Sequence, residues 1–182
     1  TEMDLGPVVT REAKNRILGL IDSGVAQGAD LKVDGRDFKL QGYENGFFVG
    51  ACLFDNVTTE MDIYKQEIFG PVLSTVRAKN YEEALSIVVN NEYGNGTAIF
   101  TRDGDTARDF SNRINVGMVG VNVPIPVPLA YHTFGGWKKS AFGDLNQHGP
   151  DAFRFYTRTK TITSRWPTGI KEGASFSIPT ME

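Results

Sequence analysis

Residues 71–123 read PVLSTVRAKNYEEALSIVVNNEYGNGTAIFTRDGDTARDFSNRINVGMVGVNV, and the order of element types in this stretch decides the fold. Val72 to Ala78 has the apolar, β-branched character of a strand. Asn80-Tyr81-Glu82-Glu83 then opens a helix, because the Asn side chain and the Glu three residues on can satisfy orphan N–H groups at a helix start. Ala84, Ile87 and Val88 give that helix one apolar face, and Gly94 and Gly96 close the connection. Thr97 to Phe100 reads as a second strand. Asp103 or Asp105 caps a second helix carrying Ala107, Phe110 and Ile114, which Gly117 ends. Met118 to Val123 is a third strand, nearly all apolar, the pattern of a strand covered on both faces. The order β-α-β-α-β with right-handed crossovers predicts an α/β fold whose three strands run parallel with their carboxyl ends on one edge.

Upstream, Thr10 is a plausible N-cap for a helix with Ala13, Ile17, Leu20, Ile21 and Val25 at helical spacing, ended by Gly28. Two short β-like runs follow, Leu31 to Val33 and Phe47 to Phe54, separated by turn-forming residues. Downstream, Val123-Pro124-Ile125-Pro126-Val127-Pro128 alternates proline with β-branched residues, which stiffens the backbone and denies it ladder hydrogen bonds. It leads to Phe134-Gly135-Gly136-Trp137. A stiff apolar loop leaving the carboxyl end of a parallel strand is where α/β sheets place ligands. After a short helix over Pro150 to Phe155, Thr157 to Trp166 is β-branched and has no sequential partner strand, so it needs an edge to pair with. The residues from Pro167 onward read as a surface tail.

The chain has 182 residues, 40% hydrophobic and 23% charged, which suits one α/β domain and argues against disorder. Lys+Arg 19 against Asp+Glu 22, with no long basic run, disfavours nucleic-acid and anionic-membrane partners. No stretch approaches the roughly 18 apolar residues of a membrane helix. One cysteine excludes an intrachain disulfide, and two histidines argue against a His-built metal site. Thr1 to Pro7 shows neither an initiator Met nor a signal peptide, so the chain is expected to begin within a larger protein, and a cytoplasmic location is expected.

Cys52 lies among Val49, Ala51, Leu53 and Phe54, with no cation close in sequence. Apolar surroundings suppress the thiolate, so Cys52 is read as a core residue rather than a nucleophile. Gly136-Trp137-Lys138-Lys139-Ser140 has the look of a phosphate loop but lacks a glycine before the Lys-Ser pair. Gln66-Glu67-Ile68-Phe69-Gly70-Pro71-Val72 places a carboxylate and an aromatic ring two residues apart. In extended backbone the two side chains would point the same way. A carboxylate can accept from a vicinal diol while a ring packs on a flat heterocycle. A solvated Glu beside a core Phe is the plainer alternative.

Glu67-Ile68-Phe69-Gly70-Pro71-Val72 closely resembles a signature of the aldehyde dehydrogenase superfamily. Leu5-Gly6-Pro7, Tyr93-Gly94 through Phe100-Thr101, Gly120-Val121-Asn122, Phe134-Gly135-Gly136 and the Tyr156 to Thr163 strand resemble further family segments, in the family's order. Asn122 to Pro128 looks specifically like the CoA-acylating methylmalonate-semialdehyde dehydrogenases. The resemblance implies NAD-dependent oxidation of methylmalonate or malonate semialdehyde, with capture of the acyl group by CoA to give propionyl-CoA or acetyl-CoA. It implies no catalytic residue in this chain, since the family's nucleophilic Cys, oxyanion-hole Asn and NAD-binding domain would lie upstream of Thr1. The chain alone is then expected to be inactive. Carried over by residue, Glu67 matches the glutamate on the nicotinamide ribose, Phe69 the aromatic beside the nicotinamide ring, and Phe134 the aromatic at the mouth of the aldehyde pocket. The implied organisation is a partial catalytic domain over 1–156, an oligomerisation strand over 157–166 that joins a partner subunit, and a tail over 167–182. Two rivals are a non-acylating aldehyde dehydrogenase and a free-standing binding or assembly module of the same fold.

Overall fold

A computed structural model describes residues 5–166; the tail expected over 167–182 lies outside the described residues. The first helix, α1 (Arg11–Ala26), begins where Thr10 caps it, its hydroxyl accepting from the Ala13 N–H at 3.1 Å. It stops at Gly28, whose φ of +94° few other residues would adopt. Ile17, Leu20 and Ile21 form its buried stripe, whereas Val25 is exposed. The chain continues through β1 (Asp30–Val33), β2 (Cys52–Asp55), the single turn α2 (Asp62–Lys65), β3 (Val72–Ser74), α3 (Tyr81–Asn90), β4 (Tyr93–Gly94) and β5 (Gly96–Ile99). It then forms α4 (Gly104–Arg113), β6 (Met118–Val121), β7 (Trp137–Lys138), a 3-10 turn (Gly149–Asp151) and α5 (Ala152–Tyr156).

Asn80 caps α3 as its sequence implies, accepting from the Glu83 N–H at 2.9 Å. The returning Glu83 carboxylate reaches one residue further back than in the usual capping box and accepts from the Lys79 N–H at 2.6 Å. At α4 the cap is Asp103 rather than Asp105, accepting from the Thr106 N–H at 2.8 Å. That helix ends at Arg113, short of Gly117, because Ile114 turns into extended backbone to bury its side chain.

The strands form three separate ladders. In the first, β2 lies between β1, antiparallel, and β3, parallel, with Cys52 opposite Val72. In the second, β4 pairs antiparallel with β7, and in the third β5 pairs parallel with β6. Of the strands starting at Val72, Thr97 and Met118, expected to run parallel, the last two are seen paired in that sense. No ladder joins β3 to either among the described residues. A β-α-β crossover fixes the direction of two strands but does not make them adjacent. Nor is the third strand covered on both faces, since Val121 is 41% exposed while Met118 and Gly120 are buried.

Two apolar clusters underlie this arrangement. The larger gathers Ile17 and Ile21 of α1, Cys52 and Phe54 of β2, and Val49, Ile63 and Ile68. The smaller joins Leu85 of α3 to Phe110, Ile114 and Val116. At the end of β2, Arg77 clasps Asp55 with two bonds of 2.7 and 2.8 Å, and this holds the carboxyl down to a pKa of about 2. Thr157 to Trp166 forms no ladder among the described residues and is exposed throughout. Among the described residues no helix is long and apolar enough to cross a membrane.

Candidate functional site

The segment from Gln66 to Pro71 joins α2 to β3 and is gripped from α1. The guanidinium of Arg16 donates to the carbonyl of Glu67 at 3.2 Å and to that of Ile68 at 2.7 Å. Ile68 turns inward and joins the larger core. Gly70 sits so close to α1 that an added Cβ would fall 2.7 Å from Ile17 Cδ1. Between these anchors Phe69 takes a φ of +54°, a left-handed conformation that L side chains disfavour. The backbone bends there, so the extended geometry in which Glu67 and Phe69 would point the same way does not hold. Alternation of side chains holds only while the backbone stays extended.

The bend presents both groups to solvent. The Phe69 ring is 70% exposed. Glu67 is exposed as well, and its carboxylate makes no hydrogen bond or ion pair among the described residues. A cavity of about 1050 Å³ opens beside it, lined by Tyr64, Glu67, Ser86, Ile87, Asn91, Tyr93 and Lys139 among others. Phe69 and Phe134 do not line it, so the structure does not gather the three expected site residues around one cavity. A free carboxylate accepts hydrogen bonds only, which suits a vicinal diol, and an open ring suits a flat heterocycle. Glu67 and Phe69 are thus both open to a ligand.

The carboxyl ends of β5 and β6 are closed by Asn122. Its backbone N–H donates to Ile99 at 2.8 Å, its amide donates to the Thr101 carbonyl at 3.0 Å, and its side-chain oxygen accepts from the Thr101 N–H at 2.9 Å. From this bracket the proline-bearing loop leaves the sheet with Ile125 and Val127 exposed. Phe134 is half-buried and stacks on His148, with ring centroids 4.5 Å apart and planes 14° from parallel. Gly135 follows, and its carbonyl lies where a Cβ on Gly117 would be, 1.7 Å away.

The look-alike phosphate loop has other duties. Lys138 donates to the carbonyls of Val89 and Asn91 at 2.8 Å each, so its charge caps the end of α3. The Ser140 hydroxyl accepts from the Gly94 N–H at 3.0 Å, and Lys139 pairs with Glu92, which raises the lysine pKa. Cys52 is 3% exposed, and the bonds that reach its sulfur come from backbone: the Gly35 N–H donates to it at 3.2 Å, and the thiol points at the Gly50 carbonyl at 3.7 Å. Arg16 was not singled out in the sequence, since an arginine on a helix surface carries no local signal of a target 51 residues away.

The parallel strand pair, its bracketed carboxyl edge and the Glu67–Val72 bend accompany a match over nearly the whole chain. The model of the aldehyde dehydrogenase family matches residues 1–162, and the chain belongs to that family. Within it, the chain is 61% identical over 180 residues to a malonate-semialdehyde dehydrogenase of Pseudomonas aeruginosa, covering 98% of this chain and 36% of that protein. It is 52% identical to the acylating mitochondrial methylmalonate-semialdehyde/malonate-semialdehyde dehydrogenase of Bos taurus, covering 97% of this chain and 32% of that one. A Sinorhizobium meliloti protein assigned as a methylmalonate-semialdehyde dehydrogenase and complexed with NAD superposes with a TM-score of 0.86 at 76% identity, over 93% of this chain and 34% of that one. The chain spans about a third of the length of the relatives it matches.

Proposed function

We propose that this chain works as part of an NAD-dependent, CoA-acylating methylmalonate- or malonate-semialdehyde dehydrogenase that yields propionyl-CoA or acetyl-CoA. NAD, when bound, takes up the hydride released by the aldehyde. The chain's own share is placement: Glu67 accepts hydrogen bonds from the ribose hydroxyls, Phe69 packs beside the nicotinamide ring, and Phe134 borders the aldehyde. The nucleophilic cysteine lies outside these residues, as Cys52 is buried with backbone groups as its partners. The strand over 157–166 joins a neighbouring subunit, and the enzyme works in the cytoplasm.

One observation supports this reading above the others. In a segment that α1 holds in place, the Glu67 carboxylate is left without a partner among the described residues. The kinship with proteins named for these semialdehydes supports the substrate class. A hydrogen bond to a charged group contributes roughly 1.5–3 kcal/mol, so Glu67→Ala in the whole enzyme is expected to weaken NAD binding or slow hydride transfer by about ten-fold or more. Wild-type single-turnover kinetics together with wild-type NAD affinity would refute the assignment. Product analysis separates the acylating from the hydrolytic reaction, since free acid in place of an acyl-CoA would favour the non-acylating alternative.

A further inference from the structure

We propose that Arg16 is a positioning residue for the loop that presents Glu67 and Phe69, an inference that rests on the cofactor role given to that loop above. Its two hydrogen bonds run to consecutive carbonyls, Glu67 at 3.2 Å and Ile68 at 2.7 Å, immediately before the left-handed Phe69. Arg16 forms no ion pair among the described residues. A guanidinium committed to two neutral carbonyls acts through geometry rather than through charge neutralisation, because its planar fork spans both oxygens at once. The next residue of the helix, Ile17, blocks the other side of the bend at Gly70. One turn of α1 therefore fixes the backbone on both sides of Phe69.

Two side chains depend on that grip. A left-handed Phe costs free energy and persists only where its surroundings over-determine it. Without the fork the bend can relax toward extended backbone, which swings the Phe69 ring and rotates the Glu67 carboxylate with it. Arg16 meanwhile takes the carbonyl of Glu67 and leaves its carboxylate free. A salt bridge to that carboxylate would have anchored the loop while blocking the group that binds.

The test uses Arg16→Met, Arg16→Lys and Glu67→Gln in the whole enzyme. In the NAD-free protein, amides over 66–71 of Arg16→Met are expected to exchange with deuterium about five-fold faster than wild type, while the middle of α1 is unchanged. NAD affinity should fall about ten-fold with the aldehyde KM unaltered, and Arg16→Lys should fall between, since an ammonium is a compact donor without the fork. Because Arg16 acts through the loop that carries Glu67, the double variant should weaken NAD binding by less than the product of the two single effects, the remainder reflecting Phe69. Arg16→Lys keeps the charge and carries the same comparisons if the Met variant does not fold. Wild-type exchange and wild-type NAD affinity in both Arg16 variants would overturn the proposal, as would effects that multiply fully where Glu67→Gln by itself weakens binding. If Glu67→Gln weakens NAD binding and the Arg16 variants do not, the clamp fails and the Glu67 assignment stands. If the reverse holds, the assignment fails and the clamp stands, acting through Phe69.

Discussion

Replacing glycine by alanine at two positions should move stability in opposite directions, and the structure sets both magnitudes. Gly117 precedes β6, and a Cβ built there would lie 1.7 Å from the Gly135 oxygen and 2.7 Å from its carbonyl carbon. With an ordinary carbon–oxygen contact at about 3.3 Å, that carbonyl would have to retreat by about 1.6 Å. The retreat is opposed on every side. Gly135 is pressed against Asn146, β7 is laddered to β4, and Lys138 is bonded to the end of α3. Overpacking costs about 1–3 kcal/mol where a site can adjust, so Gly117→Ala is placed at the upper end, about 3 kcal/mol. Gly19, by contrast, lies on the exposed face of α1 with nothing within 4 Å of an added Cβ. Alanine there should stabilise by about 0.5–1 kcal/mol through the lower entropy of its unfolded chain. Scanning fluorimetry of the whole enzyme should therefore rank the melting points Gly19→Ala, wild type, Gly117→Ala, from highest to lowest. Since Phe134 adjoins Gly135, the aldehyde KM should rise for Gly117→Ala alone. A Gly117→Ala enzyme that melts at or above wild type would refute the packing argument.

Cys52→Ser keeps a group able to accept from Gly35 and donate to Gly50, so it should cost about 1 kcal/mol and leave turnover nearly intact; abolished acylation with an intact fold would reverse the reading of this residue. The Asp55–Arg77 clasp lowers the folded pKa of Asp55 from 3.8 to about 2, so the stability it lends is complete above pH 3.8 and is lost as pH falls through about 2. Urea midpoints of wild type and Asp55→Asn should therefore converge between pH 4 and pH 2, and a gap that widens on acidification would contradict this sign. Deleting 157–166 should shrink the assembly in analytical ultracentrifugation, and an unchanged mass would remove the oligomerisation role of that run.

Elements whose signals are local were legible. Thr10, Asn80 and Asp103 announce their helices because a cap satisfies N–H groups only two or three residues away. The apolar stripe of α1 likewise needs nothing beyond its own spacing. Ladder partners did not read out in the same way. Two-residue strands such as β4 and β7 are too short to carry a period, and their pairing joins Tyr93 to Lys138 across the chain. The same division runs through the candidate site. The Glu67–Val72 motif picked out the segment, but its geometry came from elsewhere: Arg16 and Ile17 bend at Phe69 what its own residues would leave extended. Lys138 shows the same division from the other side: the missing glycine spoke locally against a phosphate loop, but the distant helix end that takes its charge could not be read there.

Among the described residues β3, β5 and β6 each carry a ladder on one side only, which bears on what must still pack against them. Unpaired N–H and C=O groups along a strand template any extended segment that meets them, another copy included. Leu73 on β3 and Phe100 just past β5, about two-thirds exposed, add apolar adhesion to those edges. Each such edge asks for a further strand, and until one docks it is the part of the fold most open to wrong pairing. A charge beside such an edge, for instance a lysine at Leu73, is the kind of gatekeeper that slows wrong pairing.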